Sequence, residues 1–151
     1  YKQHAAQYTW KNSADAVIFY GNDPAATQAF RSALSKNPAQ WRSLTTDMSE
    51  KIAADSGRFE LEQIPSATKI ALHQGLITSP VLNKTDNTAS FAYIIQLHPK
   101  PEARNFNEAR GLVINDYQND LEKTWMENLR KKYPVRINKE VLDDLVRSSK
   151  P

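Results

Sequence analysis

The three histidines are the first side chains to consider as metal ligands or general bases. His4, His73 and His98 lie far apart in the sequence, without the spacing that metal ligands usually have. The chain has no cysteine, which excludes disulfides and thiolate chemistry. It has only four glycines, and they do not form a phosphate-binding loop. We therefore expect no metal site and no cofactor.

Charge and hydropathy exclude two further classes of partner. Lysine and arginine number 20 against 17 acidic residues, and the two signs are interleaved along the 151-residue chain. A nucleic-acid site needs a clustered positive face, so we expect no nucleic-acid partner. No apolar run reaches the roughly 18 residues that suggest a membrane helix, so we expect no membrane span. The first ten residues read like the interior of a folded segment, so we expect a longer parent protein.

The first half of the chain alternates between strand and helix patterns. Residues 1–8 have a short amphipathic helical pattern, and Ala14–Tyr20 is an apolar strand. Asp23 can cap a helix that begins at Pro24, and a shorter helix follows around residues 40–46. The polar residues 49–57 predict a loop or a single turn.

The middle of the chain supplies the candidate binding residues. The alternation in residues 58–62 predicts a strand with Phe59 and Leu61 facing inward. Ser66 can cap a helix that carries Ile70 and ends near Gly75. Residues 83–88 predict an exposed turn, and residues 91–97 predict a buried strand.

These elements predict an α+β fold: a small mixed or antiparallel sheet flanked by helices, with a long projecting C-terminal helix. Asn105 resembles a helix cap, and the helix should run to about Lys132, roughly 40 Å. We expect a terminal cover to enclose Trp125 and Leu129, provided by Tyr1, Ala5, Tyr8, Val141, Leu142 and Leu145. The predicted divisions are an N-terminal flanking helix at 1–10, a domain at 12–100 and a C-terminal flank at 104–151.

Several segments together resemble a parvulin-type peptidyl-prolyl cis-trans isomerase domain. The most specific part of the family signature reads phenylalanine-x-leucine-x-x-glycine-x-isoleucine-serine-x-proline-valine. Its counterpart here is Ile70-x-Leu72-x-x-Gly75-x-Ile77-Thr78-x-Pro80-Val81. The other segments that carry the resemblance are 14–20, 41–44, 56–59 and 91–97. Residues 106–110 and 129–138 resemble the flank of periplasmic foldases of the SurA and PrsA type.

The resemblance departs from the family pattern at both histidine positions. The family places one histidine in its first strand, where this chain has Val17, and one in its last strand, where it has Tyr93. Prolyl isomerisation needs an apolar pocket and placed hydrogen bonds rather than a nucleophile. Tyr93 retains a hydroxyl and is therefore the candidate catalytic residue, with packing in the core as the alternative.

The resemblance implies a parvulin-like domain of a periplasmic or otherwise exported foldase. Its function would be to bind extended, proline-containing polypeptide, with weak or absent isomerase activity. Its partners would be unfolded clients and the rest of the parent chain. The expected groove residues are Phe59, Leu61, Ile70, Leu76, Ile77 and Tyr93. Two alternatives remain open: an active isomerase with a rearranged site, and a scaffolding or oligomerisation module.

Overall fold

The computed structural model describes residues 1–66, 71–134 and 138–148, without the side chains of residues 143, 145 and 146. The chain divides into two compact units. Residues 2–104 form one unit, and Tyr1 together with the residues from Asn105 onward forms the other. The predicted α+β class is confirmed, because the elements are antiparallel strands and helices, with a long helix near the C-terminus.

The larger sheet is built around a central strand. Its order is β3-β2-β5-β4, and every neighbouring pair is antiparallel. The four strands are β2 (Ser13–Gly21), β3 (Ile52–Glu60), β4 (Val81–Asn83) and β5 (Thr88–His98). β2 therefore has hydrogen-bonded neighbours on both edges, and the predictions of a strand at 14–20 and another at 91–97 are confirmed.

Alternate residues of β2 face opposite sides of this sheet and enter two separate apolar clusters. Ala14, Ala16 and Ile18 belong to the first cluster, and Val17 and Phe19 belong to the second. All five are buried. Because both faces of β2 are covered, the sequence of this strand is a continuous apolar run rather than an alternating one.

Two helices cover the second cluster. They are α1 (Pro24–Lys36), which contributes Phe30 and Leu34, and α2 (Trp41–Asp47), whose Trp41 packs against the same cluster. The predicted cap of α1 is confirmed, since the Asp23 carboxylate accepts hydrogen bonds from the first backbone amides of the helix. The ring centroids of Phe19 and Phe30 are 5.0 Å apart, so α1 packs directly on the sheet.

The loop predicted for residues 49–57 is wrong, because β3 already begins at Ile52. Every residue from Ile52 to Glu60 is paired with β2. Ile52 is buried in the second cluster, while Ala53, Asp55 and Gly57 are exposed. Small and polar residues dominate this strand because it lies at an edge of the sheet, and their composition concealed it.

The helix predicted after Ser66 is also wrong over its described part. Residues 67–70, including Ile70, lie outside the described residues, and residues 71–73 are not helical. The chain instead turns at Gly75, whose φ is +83°. The Gly75 amide donates to the Ile94 carbonyl at 2.8 Å, and the Ile94 amide donates to the Leu76 carbonyl at 2.8 Å. Backbone pairing with β5 therefore begins directly after the residues that were predicted to be helical.

The exposed turn predicted between residues 83 and 88 is confirmed and joins β4 to β5. Asn87 has a φ of 56°, a left-handed conformation that asparagine tolerates well. The Asp86 carboxylate accepts hydrogen bonds from the Thr88 hydroxyl and amide. These bonds hold the pKa of Asp86 below its ordinary value.

The two ends of the first unit meet in a short ladder. The helix predicted for residues 1–8 is reduced to a three-residue 3₁₀ turn, Ala5–Gln7. β1 (Thr9–Trp10) then pairs antiparallel with β6 (Glu102–Ala103). The Arg104 amide donates to the Tyr8 carbonyl at 2.9 Å and extends this pairing.

The second unit contains α3 (Phe106–Lys132) and α4 (Lys139–Ser148). The predicted cap of α3 is confirmed, because the Asn105 side chain accepts from the Glu108 amide and the Glu108 carboxylate accepts from the Asn105 amide. The predicted enclosure of Trp125 is wrong, since that side chain is 61% exposed. Over the described residues, the helices include none that is long and apolar enough to cross a membrane.

The exposure of Trp125 predicts a small effect on stability. We expect Trp125→Ala to change the free energy of unfolding by less than about 1 kcal/mol, because the substitution opens no cavity. Phe91→Ala, at a fully buried aromatic residue of the second cluster, should cost about 3 to 5 kcal/mol. Urea unfolding of both variants measures the difference, and similar losses would show that Trp125 is enclosed after all.

Candidate functional site

The two positions at which the resemblance expects histidine lie next to each other. Val17 of β2 and Tyr93 of β5 are direct cross-strand partners. Their side chains pack on the same face of the sheet, in and against the second cluster. Val17 is completely buried, and Tyr93 is half-buried. A valine has no hydrogen-bonding group, so a paired polar network of two side chains cannot form between these positions.

The segment that carries the sequence signature pairs with β5, the strand that contains Tyr93. Ile77 forms an isolated antiparallel bridge with Tyr93. Thr78 is buried, and its amide donates to the Ala92 carbonyl at 2.8 Å. The Ala92 amide in turn donates to Oγ1 of Thr78 at 2.9 Å. The Thr78 hydroxyl therefore accepts the hydrogen bond of the Ala92 amide, which a backbone carbonyl would accept in a regular ladder.

An arginine from α1 holds this segment from its other side. Nε of Arg31 donates to the Thr78 carbonyl at 2.8 Å, and Nη2 donates to the Ile77 carbonyl at 3.3 Å. Hydrogen bonds from a charged donor are stronger than neutral ones. Arg31 thus fixes the signature segment between α1 and β5, a role that sequence reasoning missed because a single arginine on a helix resembles any solvent-exposed residue.

The expected groove residues are divided between the two apolar clusters. Phe59, Leu61 and Leu76 pack against the first cluster, whereas Ile77 and Tyr93 pack against the second. All five are half-buried, so each retains some accessible surface. Their predicted role in peptide binding stays a prediction, and the geometry brings them together as two groups on opposite faces of the sheet.

A cluster of charged side chains around Trp10 was not anticipated from the sequence. The Cζ atoms of Arg104 and Arg58 lie 3.6 Å and 5.0 Å from the centroid of the Trp10 ring. Arg104 donates to the Glu60 carboxylate at 2.6 Å, and Arg58 donates to the Glu102 carboxylate at 2.8 Å. The ring and its two cations come from β1, β3 and the residue after β6, so only the folded chain brings them together.

His98 lies at the margin of this cluster. Its Nε2 is 2.9 Å from Oδ2 of Asp15, and its Nδ1 is 3.8 Å from Oε1 of Glu102. The described residues contain no group of three histidine, cysteine, aspartate or glutamate side chains that could hold a metal ion. These two contacts of His98 connect β5 to β2 and β6.

A comparison of the chain with protein-family models gives no match, and neither does a comparison with curated protein sequences.

The double hydrogen bond at Thr78 predicts a specific loss of stability. We expect Thr78→Val to lower the free energy of unfolding by about 1 to 3 kcal/mol, because the buried Ala92 amide loses its acceptor. Thr78→Ser keeps the hydroxyl and should cost clearly less. Urea unfolding of both variants tests this expectation, which fails if the serine variant is the less stable of the two.

The Trp10 cluster predicts that replacing Trp10 by phenylalanine costs much less stability than replacing it by alanine. Trp10 is 5% exposed, and its buried Nε1 has no hydrogen-bond partner among the described residues. Trp10→Phe removes this unpartnered donor while keeping an aromatic ring, so we expect a cost below about 1.5 kcal/mol. Trp10→Ala should cost about 3 to 5 kcal/mol. Thermal and urea unfolding measure both, and equal losses would show that the indole nitrogen is needed.

Proposed function

We propose that this chain is a parvulin-like module that binds extended, proline-containing polypeptide and has weak or absent prolyl isomerase activity. The observation that carries the proposal is the cross-strand pairing of Val17 with Tyr93. The resemblance located these positions in segments 76 residues apart (93 − 17), and they meet in the middle of the sheet. This convergence supports the family's arrangement without its histidine chemistry.

The position of the signature segment supports the same proposal. Ile77 and Thr78 lie against β5 at Tyr93 and Ala92, so the signature segment meets the Val17–Tyr93 pair at one place in the fold. Tyr93 has accessible surface there and supplies a hydroxyl. One phenol beside a buried valine offers fewer hydrogen bonds to a twisted amide than two imidazoles, so transition-state stabilisation should be small.

The biological setting is part of the same proposal. We infer a periplasmic or otherwise exported location from the resemblance to SurA- and PrsA-type foldases. Its partners would be unfolded polypeptides and the remainder of a longer parent chain. The half-buried residues Phe59, Leu61, Leu76, Ile77 and Tyr93 remain the candidate contact residues for clients.

A direct activity measurement tests the catalytic part of the proposal. We expect the chain to accelerate cis-to-trans conversion of a proline tetrapeptide at least tenfold less than an active parvulin does. A tenfold difference corresponds to about 1.4 kcal/mol of transition-state stabilisation. A rate within tenfold of that parvulin would instead support the rearranged active isomerase, and Tyr93→Phe would then show whether the hydroxyl contributes.

Peptide titration tests the binding part. We expect an unstructured proline-containing peptide to shift the backbone amide resonances of residues in the first unit. Absence of any shift at millimolar peptide would contradict the proposal.

An oligomerisation module is the second candidate, favoured by exposed apolar side chains on α3. Ile114, Tyr117, Leu121 and Trp125 recur at helical spacing, and all four are exposed. Sedimentation across a range of concentrations distinguishes this candidate. A monomer at all concentrations would remove it, whereas an oligomer dispersed by Leu121→Glu would favour it over peptide binding.

A further inference from the structure

The outer edge of β3 presents a row of backbone hydrogen-bonding groups that no other strand of the described residues uses. In an antiparallel pair, residues alternate between those that bond to the partner strand and those whose amide and carbonyl point away from it. The Leu61 amide donates to the Asn12 carbonyl, and the Asn22 amide donates to the Lys51 carbonyl. Lys51 and Leu61 are therefore hydrogen-bonded positions, one at each end of the β2–β3 ladder.

The register between these ends identifies the outward-pointing residues. Ser13 pairs with Glu60 and Gly21 with Ile52, so the ladder is regular over its whole length. The bonded positions of β3 are then its odd-numbered residues, and the even-numbered residues direct their backbone groups outward. Across the described residues, no hydrogen bond to another strand uses the outward groups of Ala54, Ser56 and Arg58.

At both ends of this row, the outward amide is hydrogen-bonded within the chain. The Ile52 amide donates to the Met48 carbonyl at 2.9 Å. The Glu60 amide donates to Oε1 of Gln63 at 2.9 Å. The open part of the edge therefore extends from Ala54 to Arg58, with three outward amides and three outward carbonyls over roughly 17 Å.

Several of the usual protections of a sheet edge are lacking along this part of β3, where Asp55 is the one exposed charged residue. Edge strands are commonly protected by proline, by an exposed lysine or by a bulge. Residues 54–58 contain neither proline nor lysine, and their register with β2 has no bulge. The Arg58 side chain is directed to Ser13 and Glu102 rather than across the edge. The opposite edge of the sheet differs, because β4 has only three residues and follows Pro80.

We propose that residues 54–58 of β3 bind an extended segment of another polypeptide by adding it to the sheet as a fifth strand. This inference rests on the proposed function and adds to it a site for the client's backbone, at the edge of the sheet that β2 separates from Tyr93 of β5. Main-chain hydrogen bonds provide the attraction in this mode of recognition, so it tolerates many client sequences. The exposed Asp55, Ser56 and Gly57 leave room for side chains of the added strand.

The short length of the edge favours an extended peptide over a second copy of this chain. A stable protein dimer usually buries at least about 1,200 Å². Pairing over five residues buries much less than this, which suits weak and reversible peptide binding.

The test compares a substitution that removes one outward amide with a control that keeps it. Ser56→Pro removes an N–H that is not part of the β2–β3 ladder, and proline is tolerated at such edge positions. Ser56→Ala removes the hydroxyl but keeps the amide and is the matched control. The probe is a ten-residue peptide with alternating threonine and valine followed by an alanine-proline pair. A second peptide of the same sequence is N-methylated at two adjacent central amides. Because adjacent amides of a strand point to opposite edges, neither of its edges can pair normally.

We expect Ser56→Pro to weaken binding of the unmethylated peptide at least tenfold, and Ser56→Ala to change it less than twofold. In the unsubstituted protein, bound peptide should slow hydrogen exchange at the amides of Ala54, Ser56 and Arg58, and the methylated peptide should not. The exchange measurement decides the matter even if Ser56→Pro fails to fold.

The outcomes separate this inference from the proposed function. Binding that persists in a folded Ser56→Pro, or exchange that is unchanged at the three amides, overturns strand addition while leaving peptide binding in place. Failure of the unsubstituted protein to bind the peptide contradicts both. A dimer of the free protein that Ser56→Pro dissociates would overturn the inference in favour of a second copy as the occupant.

Discussion

The pairing of β2 with both β3 and β5 is the interaction on which the rest of the first unit depends. β2 provides residues to both apolar clusters, and its two edges fix the register of its neighbours. A shift of one residue would move Val17 and Phe19 into the first cluster and would bring the small Ala14 and Ala16 to the second, so neither cluster would keep its packing. The register that pairs Val17 with Tyr93 is therefore set by packing of the whole sheet.

Elements with strong local signals could be predicted from the sequence. The apolar run of β2, the Asp23 cap and the Asn105 capping box each depend on neighbours in the chain, and each is found in the structure. β3 was partly missed, because its alanines, serine and glycine are typical of loops. Its pairing with β2 stabilises it, and this long-range contribution leaves no periodic pattern in the strand's own residues.

The site was less predictable than the fold for a related reason. Family resemblance identified Val17 and Tyr93, but their direct pairing is a property of sheet register. The contacts of Arg31 with the signature segment join positions 46 and 47 residues apart, and those of Trp10 join β1 to β3. Such contacts depend on tertiary placement, which composition and spacing do not encode. Residues 71–73 are not helical, and the backbone bonds to β5 begin directly after them, at Gly75.

The ladder between β1 and β6 has a mechanical consequence. Thr9 pairs with Ala103, so two residues 94 positions apart lie side by side where the chain enters and leaves the first unit. A pulling force transmitted through the flanking chain would act across this ladder rather than along it, opening its hydrogen bonds one after another. The next resistance would come from Trp10, held by the guanidinium groups of Arg58 and Arg104. The first unit would therefore yield to tension at its two ends before its central sheet is strained.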